Sequence, residues 1–227
     1  MKIFIPARTE SKRIAMKNFI EFEGRHMIEW ALKKATHMAQ EFDAEIVVST
    51  TEIGAIMLDT SEYEFERFIR SNYTAGDDCG IRNVVEEWID AENIHHDETI
   101  VCLLPCTPLL PPFKLLMAIE EYESTWKEGH MMMASICEFS TPIERRLSPD
   151  DEGLLHMCEP NEKRTQDCRT HYYDAGQFYV ATAKRWLMPK PIIDGCIGYP
   201  LPRYEACDID TYEDLMFAKH LYKGRVY

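Results

Sequence analysis

The sequence has no long hydrophobic run, no signal-like leader and no cysteine framework. No stretch approaches the roughly 20 consecutive apolar residues that a membrane-spanning helix needs. The apolar segment Met1-Lys2-Ile3-Phe4-Ile5-Pro6 is too short for a secretory signal, and charged residues follow it too closely. The eight cysteines are scattered, and Cys102 and Cys106 have no second Cys or His pair at zinc-ligand spacing. We therefore expect a cytoplasmic protein with reduced thiols and no membrane partner.

Positive charge is also scarce overall. The chain has 25 Lys and Arg against 39 Asp and Glu, a net charge of −14. Nucleic-acid binders present a broad basic face, so we expect no nucleic-acid partner. Residues 1–34 nevertheless hold eight basic and four acidic residues, which leaves −18 for the remainder. A basic island on an acidic protein is typical of a local anion site, although a chance cluster on a solvated face is the alternative.

A glycine-rich Walker A loop of the form G-x-x-x-x-G-K-[ST] is absent. A different loop, Arg8-Thr9-Glu10-Ser11-Lys12-Arg13, follows the first apolar run directly. Backbone N–H groups and a serine hydroxyl can donate hydrogen bonds to phosphate, while lysine and arginine neutralise its charge. The pattern therefore predicts a triphosphate-binding loop after the first strand.

The hydrophobic pattern predicts one α/β domain over residues 1–227, with a mostly parallel sheet and helices on both faces. The strands are expected at 2–7, 45–49, 99–104, 130–137 and 176–181, and the helices from Met27, over 83–89, from Pro112 and from Thr211. Such sheets bind ligands at the carboxyl ends of their strands. The loops after Ile5 and Leu104 should therefore form part of the site.

Residues 138–173 break this pattern. The stretch is polar, charged and weakly periodic, and it is too long for an ordinary loop. We expect an excursion from the domain, either a functional loop or an extended arm that forms a dimer.

Asp208-Ile209-Asp210 is the second chemical motif. In an extended segment both carboxylates lie on one face while Ile209 points into the core. Two hard oxygen ligands suit Mg²⁺, which usually keeps several waters and adds substrate phosphates. The alternative is an exposed acidic pair beside a helix N-terminus, where aspartate is favoured anyway.

Together these motifs resemble a known family. Ile5-Pro6-Ala7-Arg8-x-x-Ser11-Lys12-Arg13-Ile14-x-x-Lys17-Asn18 is similar to the first motif of CMP-acylneuraminate synthetases and related sugar cytidylyltransferases. The segment from Asp208 to Asp214 resembles their metal-binding closing motif, and Arg70, Ala75 and Asp77 fall at the family's intervals. Residues 164–167 and 173–179 resemble the pseudaminic acid branch.

The resemblance implies a Rossmann-like nucleotidyltransferase fold that joins CMP, from CTP, to a nonulosonic acid and releases pyrophosphate. It implies nucleotide contacts from Ala7, Arg8, Ser11, Lys12, Lys17, Asn18, Arg70 and Asp77. It implies catalytic roles for Arg8, Lys12, Asp208 and Asp210, the last two holding Mg²⁺. It implies sugar contacts from Arg164, Gln166, Asp174 and Gln177, with Arg164 facing the carboxylate. It also implies a homodimer formed through the arm.

Two alternatives stay open. One is the same reaction on sialic or legionaminic acid. The other is an inactive homologue that binds a nucleotide or a protein partner, because Thr9-Glu10 stands where the family usually has a pair of small residues such as Gly-Gly. Glycine there lets the backbone approach phosphate. Glu10 either turns away, weakens CTP binding or marks a changed activity.

Overall fold

The computed structural model describes residues 1–58, 62–76, 79–158 and 163–224. The strands are β1 Lys2–Pro6, β2 Glu21–Phe22, β3 Arg25–His26, β4 Glu45–Thr50, β5 Glu66–Ile69, β6 Thr99–Leu103, β7 Met133–Glu138, β8 Leu147–Pro149, β9 Leu155–Met157, β10 Tyr172–Thr182 and β11 Ile197–Pro200. The α-helices are α1 Met27–Phe42, α2 Glu52–Met57, α3 Asn72–Ala75, α4 Ile81–Ala91, α5 Pro112–Glu121, α6 Ala183–Trp186 and α7 Tyr212–Lys223. All eight cysteines are free thiols.

Seven strands form one sheet in the order β11-β7-β10-β6-β1-β4-β5. Every neighbouring pair is parallel except the two that involve β10, which runs antiparallel to both β6 and β7. The mostly parallel sheet predicted from the sequence is confirmed. Its antiparallel strand lies in the middle, between β6 and β7.

Helices cover both faces of this sheet, as predicted. Ile3 and Ile5 of β1 point to one face, where α1 and α5 pack. Phe4 points to the other face and contacts Trp88 of α4, with ring centroids 5.0 Å apart. Successive side chains of a buried strand alternate between faces, so an apolar run without polar residues is what a doubly covered strand requires.

Most predicted elements lie close to their expected bounds. The helix expected from Pro112 begins at that residue, and the helix expected from Thr211 begins just after it. The strand expected at 176–181 is longer, because β10 begins at Tyr172. Its first three residues are exposed, so their polar and aromatic pattern concealed the strand. No helix in the described ranges is both long and apolar enough to cross a bilayer.

The segment between β7 and β10 is an excursion that carries the hairpin β8–β9. None of the residues described between Phe139 and His171 is buried. Five large apolar side chains among the described residues of this segment are exposed, those of Phe139, Leu147, Leu154, Leu155 and Met157. The described residues of the arm therefore contribute no buried side chain to the core, and the role of the arm in forming a dimer stays a prediction.

Candidate functional site

A cleft of about 640 Å³ lies at the carboxyl ends of β1 and β6. It is bounded by the loop after β1, by the residues after β6 and by the start of α4. Eight of the residues predicted from the sequence line it, namely Arg8, Ser11, Lys12, Lys17, Asn18, Arg70, Asp208 and Asp210. The structure thus brings the basic loop and the acidic pair together across a separation of nearly 200 residues. Asp77 lies outside the described residues.

Backbone and buried polar contacts hold the loop after β1 in place. The Ala7 N–H donates to the Ser49 carbonyl at 2.8 Å, and the Ala7 carbonyl accepts from the Thr50 hydroxyl at 2.6 Å. Asn18, which is also buried, donates to the Arg8 carbonyl at 2.8 Å. Ala7 is fully buried beneath the loop, so any contact with a nucleotide would come from its neighbours.

Arg8 and Arg70 make one wall of the cleft positive. The Arg8 guanidinium donates to the Gly76 carbonyl at 3.0 Å, which ties the loop to the opposite rim. Arg70 is buried and donates to the Ser49 hydroxyl and carbonyl at 2.9 and 3.0 Å. Burial and then the charge of Arg8 lower the pKa of Arg70 to about 10. Among the described residues, no ion pair with an acidic side chain would have to break for this wall to accept an anion at Arg70.

The two aspartates face the opposite side of the cleft, as alternation in an extended segment predicts. Ile209 between them is fully buried, and its N–H donates to the Cys106 carbonyl at 3.1 Å. Helix α7 follows at once, capped by mutual hydrogen bonds between Thr211 and Asp214. The Asp210 N–H also donates to the Asp214 carboxylate at 3.1 Å. The cap therefore fixes the direction of the segment that carries the pair.

The electrostatic surroundings of the two carboxylates differ. Asp210 accepts ion pairs on one oxygen from Lys17 at 2.6 Å and from Arg13 at 2.8 Å. Asp208 makes no hydrogen bond or ion pair with any other residue in the described part of the chain. Burial raises the pKa of Asp208 to about 7, since the nearby Lys17 charge only partly offsets burial and Asp210 adds to it.

Lys17 keeps its positive charge despite being largely buried. Burial works to lower the pKa of Lys17, but the nearby Cys106, Asp210 and Asp208 outweigh it, so the pKa lies above its ordinary value. A lysine that stays charged inside the cleft can be shared between Asp210 and an incoming phosphate.

A metal ion bound at the two aspartates would need further ligands from water or substrate. Within the described residues, no group of three or more His, Cys, Asp or Glu side chains is arranged as a metal site. Two carboxylates beside a basic phosphate loop nevertheless fit the chemistry of Mg²⁺, which usually takes one or two carboxylates and completes its shell with water and phosphate oxygens. Asp208, which is half-buried and has no ion-pair partner among the described residues, would not have to give up such a partner to bind the ion.

Glu10 is one of the residues that line the cleft. Its carboxylate accepts a hydrogen bond from the Thr9 hydroxyl at 2.9 Å. The Thr9 hydroxyl also contacts the hydroxyl of Thr51 at 2.8 Å. The effect of Glu10 on CTP binding stays a prediction.

A second pocket, of about 480 Å³, shares Asp208 with the first. Its wall combines the aromatic rings of Tyr173, Tyr204 and Phe217 with the guanidinium of Arg203. Sequence reasoning missed Arg203, because a single arginine in Pro202-Arg203-Tyr204 carries no signal until the fold places it in the same pocket as Asp208.

The predicted sugar-binding residues do not all lie close together within a single copy of the chain. Asp174 lines the second pocket. Arg164 and Gln166 lie at an exposed single-turn helix of the arm and line neither pocket. Gln177 is fully buried, where its amide donates to the Ala175 carbonyl at 2.7 Å. The sugar roles of these residues stay predictions.

More than half of the chain matches a known protein family. The family model described as "Cytidylyltransferase" matches residues 3–144, which include the basic loop and five of the seven strands of the main sheet, β1, β4, β5, β6 and β7. The chain is a member of the cytidylyltransferase family. It is therefore a nucleotidyltransferase, and the resemblance inferred from its motifs is confirmed.

Among relatives of this cytidylyltransferase are sugar-modifying enzymes. It is 33% identical over 225 residues to the pseudaminic acid cytidylyltransferase of Campylobacter jejuni subsp. jejuni serotype O:2, a match covering 96% of this chain and 94% of the relative. It is 25% identical over 163 residues to the 3-deoxy-manno-octulosonate cytidylyltransferase of Coxiella burnetii, covering 68% and 57%. These matches place the chain among the sugar cytidylyltransferases.

Solved structures confirm the fold of the cytidylyltransferase. CMP:2-keto-3-deoxy-manno-octonic acid synthetase complexed with CTP superposes with a TM-score of 0.69 at 14% identity, covering 99% of this chain and 98% of the other. A 4-diphosphocytidyl-2C-methyl-D-erythritol synthase from Anaerococcus prevotii gives a TM-score of 0.63 at 14% identity, with the same coverage. The Rossmann-like nucleotidyltransferase fold expected from the motifs is therefore confirmed.

Proposed function

We propose that this enzyme transfers CMP from CTP to a nonulosonic acid, with pseudaminic acid as the first candidate, and releases pyrophosphate. The observation that carries the proposal is the meeting of the basic loop after β1 with Asp208 and Asp210 in one cleft. The 33% identity to a pseudaminic acid cytidylyltransferase over almost the whole chain supports the choice of sugar. We expect the protein in the cytoplasm, where CTP is made.

In this proposal the triphosphate lies along the loop after β1. The Ser11 hydroxyl and the loop N–H groups donate hydrogen bonds to it, while Arg8, Lys12 and Lys17 neutralise its charge. Asp208 and Asp210 would hold Mg²⁺, which supplies Lewis-acid stabilisation of phosphate charge when bound. Catalysis of this kind depends on positioning and on charge stabilisation more than on covalent participation by the protein.

The sugar would occupy the second pocket, on the other side of Asp208. Its carboxylate would pair with Arg203, and its apolar ring faces would contact the aromatic wall. The anomeric hydroxyl oxygen then forms a bond to the α-phosphorus as the bond from that phosphorus to the bridging oxygen breaks. Pyrophosphate departs with the bonding electrons, and the hydroxyl proton is lost to water.

The enzyme is also proposed to act as a homodimer. The exposed apolar side chains of the hairpin β8–β9 give the arm a surface of the kind that packs against a protein partner. We expect two copies per particle by light scattering, and the double variant Leu147→Glu, Leu155→Glu should be monomeric. A wild-type monomer at micromolar concentration would contradict this part of the proposal.

The experiment that tests the function is pyrophosphate release from CTP and Mg²⁺ with a panel of acids, namely pseudaminic, legionaminic and N-acetylneuraminic acid and 3-deoxy-manno-octulosonate. We expect release only when an acid and a divalent cation are both present, and fastest with pseudaminic acid. Faster release with another acid would reassign the substrate. CTP binding without release for any of them would favour an inactive homologue.

A further inference from the structure

Gly176 packs directly against the carboxylate of Asp208. Its φ of +59° lies in the left-handed region, which glycine adopts without steric cost. A Cβ added at this position would lie 2.9 Å from Asp208 Oδ2, too close for that oxygen to stay in place, and 3.4 Å from its Cγ, which is contact distance. The absence of a side chain at residue 176 therefore leaves the space that Asp208 Oδ2 occupies.

Gly176 occupies a bulge in β10. The strand leaves its register with β7 after Asp174 and regains it at Tyr179, so residues 175–178 lie opposite Ser135 alone. The buried Ser135 hydroxyl accepts hydrogen bonds at 3.0 and 3.2 Å from the N–H groups of the last two bulged residues. The bulge is therefore fixed to β7 from within the sheet.

The carboxylate of Asp174 also holds this bulge in place. One carboxylate oxygen accepts the Gly176 N–H at 3.0 Å, and the other accepts the Tyr179 hydroxyl at 2.7 Å. Burial, followed by the charge of Asp174, raises the pKa of Tyr179, so its hydroxyl remains the donor. Both oxygens of Asp174 are thus engaged in holding the backbone that touches Asp208.

We propose that Asp174 is a positioning residue, which acts through Gly176 to fix the Asp208 carboxylate at the junction of the two pockets. The proposal rests on the proposed function, in which Asp208 helps to hold a divalent cation. It differs from the sugar contact predicted for Asp174 from the sequence. The side chain at position 174 must accept the Gly176 N–H and form a hydrogen bond with the Tyr179 hydroxyl. An asparagine amide can do both, because its oxygen accepts and its NH2 group donates.

The first test compares Asp174→Asn with Asp174→Ala. Binding of Mn²⁺ in the presence of CTP is followed by electron paramagnetic resonance, and KM for the sugar is measured separately. We expect Asp174→Ala to weaken Mn²⁺ binding about tenfold or more, as loss of a partner that orients a metal ligand does. Asp174→Asn should stay within about twofold of wild type in both measurements. An Asn variant as impaired as the Ala variant would show that the charge matters, and would overturn the proposal.

The second test uses Gly176→Ala with Gly24→Ala as its matched control. Both glycines have a positive φ, +59° and +81°, so both variants strain the backbone. Nothing lies within 4 Å of a Cβ added at Gly24. We expect similar losses of thermal stability, but weakened Mn²⁺ binding, again by about tenfold, only in Gly176→Ala. Equal Mn²⁺ affinities in the two variants would overturn the proposal.

Mn²⁺ binding by the wild-type protein distinguishes a failure of this inference from a failure of the proposed function on which it rests. If wild type binds no Mn²⁺ in the presence of CTP, the proposed metal site is wrong and the positioning role falls with it. If wild type binds Mn²⁺ and the Asp174 and Gly176 variants bind it equally well, the positioning role alone is wrong.

Discussion

The ammonium of Lys17 lies 2.6 Å from Asp210 Oδ1, so an ion pair joins the segment after β1 to the acidic pair. Arg13 reaches the same oxygen at 2.8 Å. Two positive charges thus meet one negative charge at a single oxygen, and any cation that binds this oxygen must share it with Lys17 and Arg13 or displace them. Substrate phosphates can receive the released Lys17, which couples their arrival to exposure of Asp210.

Lys17→Met should weaken CTP binding more than sugar binding. A charge-assisted hydrogen bond contributes roughly 1.5–3 kcal/mol, so KM for CTP should rise about tenfold or more. Lys33→Met, which removes an exposed lysine from α1, is the control and should change neither KM. Equal increases in KM for both substrates would point to a general loss of structure.

Asp208 makes the stability of the metal-free protein depend on pH. Its folded pKa of about 7 lies above the unfolded value of about 3.9, so the folded state binds the proton more tightly. This contribution is fully present below about pH 4 and is lost as the pH rises to 7. Asp208→Asn should therefore raise Tm at pH 8 by a few degrees, since about 1 kcal/mol corresponds to roughly 2–4 °C for a protein of this size.

The matched change Asp210→Asn should have the opposite sign. It removes the acceptor of the ion pairs with Lys17 and Arg13, so Tm at pH 8 should fall. Calorimetry of both variants with and without Mg²⁺ distinguishes the two carboxylates. A Tm for Asp208→Asn at or below that of wild type would show that burial does not destabilise this carboxylate.

Both aspartate variants should lose activity by a factor on the order of 10² or more, as when one electrostatic stabiliser of a transition state is removed. The measurement is kcat at saturating Mg²⁺ and CTP. A variant that keeps a near-normal kcat under these conditions would exclude its residue as a metal ligand. If Asp208→Asn has a higher Tm and a lower kcat than wild type, the Asp208 carboxylate destabilises the fold but is needed for activity.

Glu10→Gln should strengthen CTP binding. A carboxylate about 6 Å from a phosphate costs on the order of 2–3 kcal/mol at an effective dielectric constant near 20, before screening by salt. The gain should shrink as ionic strength rises. Glu10→Gly adds freedom for the backbone to approach phosphate, so calorimetric titration of both variants separates charge from backbone. Weaker CTP binding in both would assign Glu10 a positive role, such as orienting Thr9.

Arg203→Gln should raise KM for the acidic sugar about tenfold or more while KM for CTP stays within twofold, because a hydrogen-bonded ion pair with the carboxylate is lost. Arg203→Lys should recover part of this loss. Arg164→Gln is the comparison, since the sequence assigns the carboxylate to Arg164. A larger effect for Arg164→Gln would favour the sequence assignment, with the arm of a second copy supplying that residue.

The local parts of the site could be predicted from the sequence, whereas its long-range parts could not. Alternation alone placed Asp208 and Asp210 on one side of a buried Ile209, because successive side chains of an extended segment point to opposite sides. The position of Arg203 depends on how β10 and the turn before Asp208 meet in space. The edge strand β5, which is short and mostly exposed, gave no periodic signal.

The bulge in β10 illustrates the same limit. A one-residue change in register inverts every side chain, so pairing is set by the whole sheet rather than by the strand's own composition. Residues 172–174 carried a polar pattern that suited a loop equally well. Only the paired structure shows that Asp174 and Tyr179 meet across the bulge at 2.7 Å.

The buried guanidinium of Arg70 has a consequence for the lifetime of the empty enzyme. Among the described residues it is held by the Ser49 hydroxyl and carbonyl, and burial is the main cause that lowers its pKa to about 10, so a bound anion would favour its charged form. A ligand that binds only the folded state adds RT ln(1 + [L]/Kd) to its stability, about 2.7 kcal/mol at a hundredfold excess over Kd. The abundance of this enzyme in a cell would then follow its nucleotide supply, because starved copies unfold and are degraded more often than loaded ones.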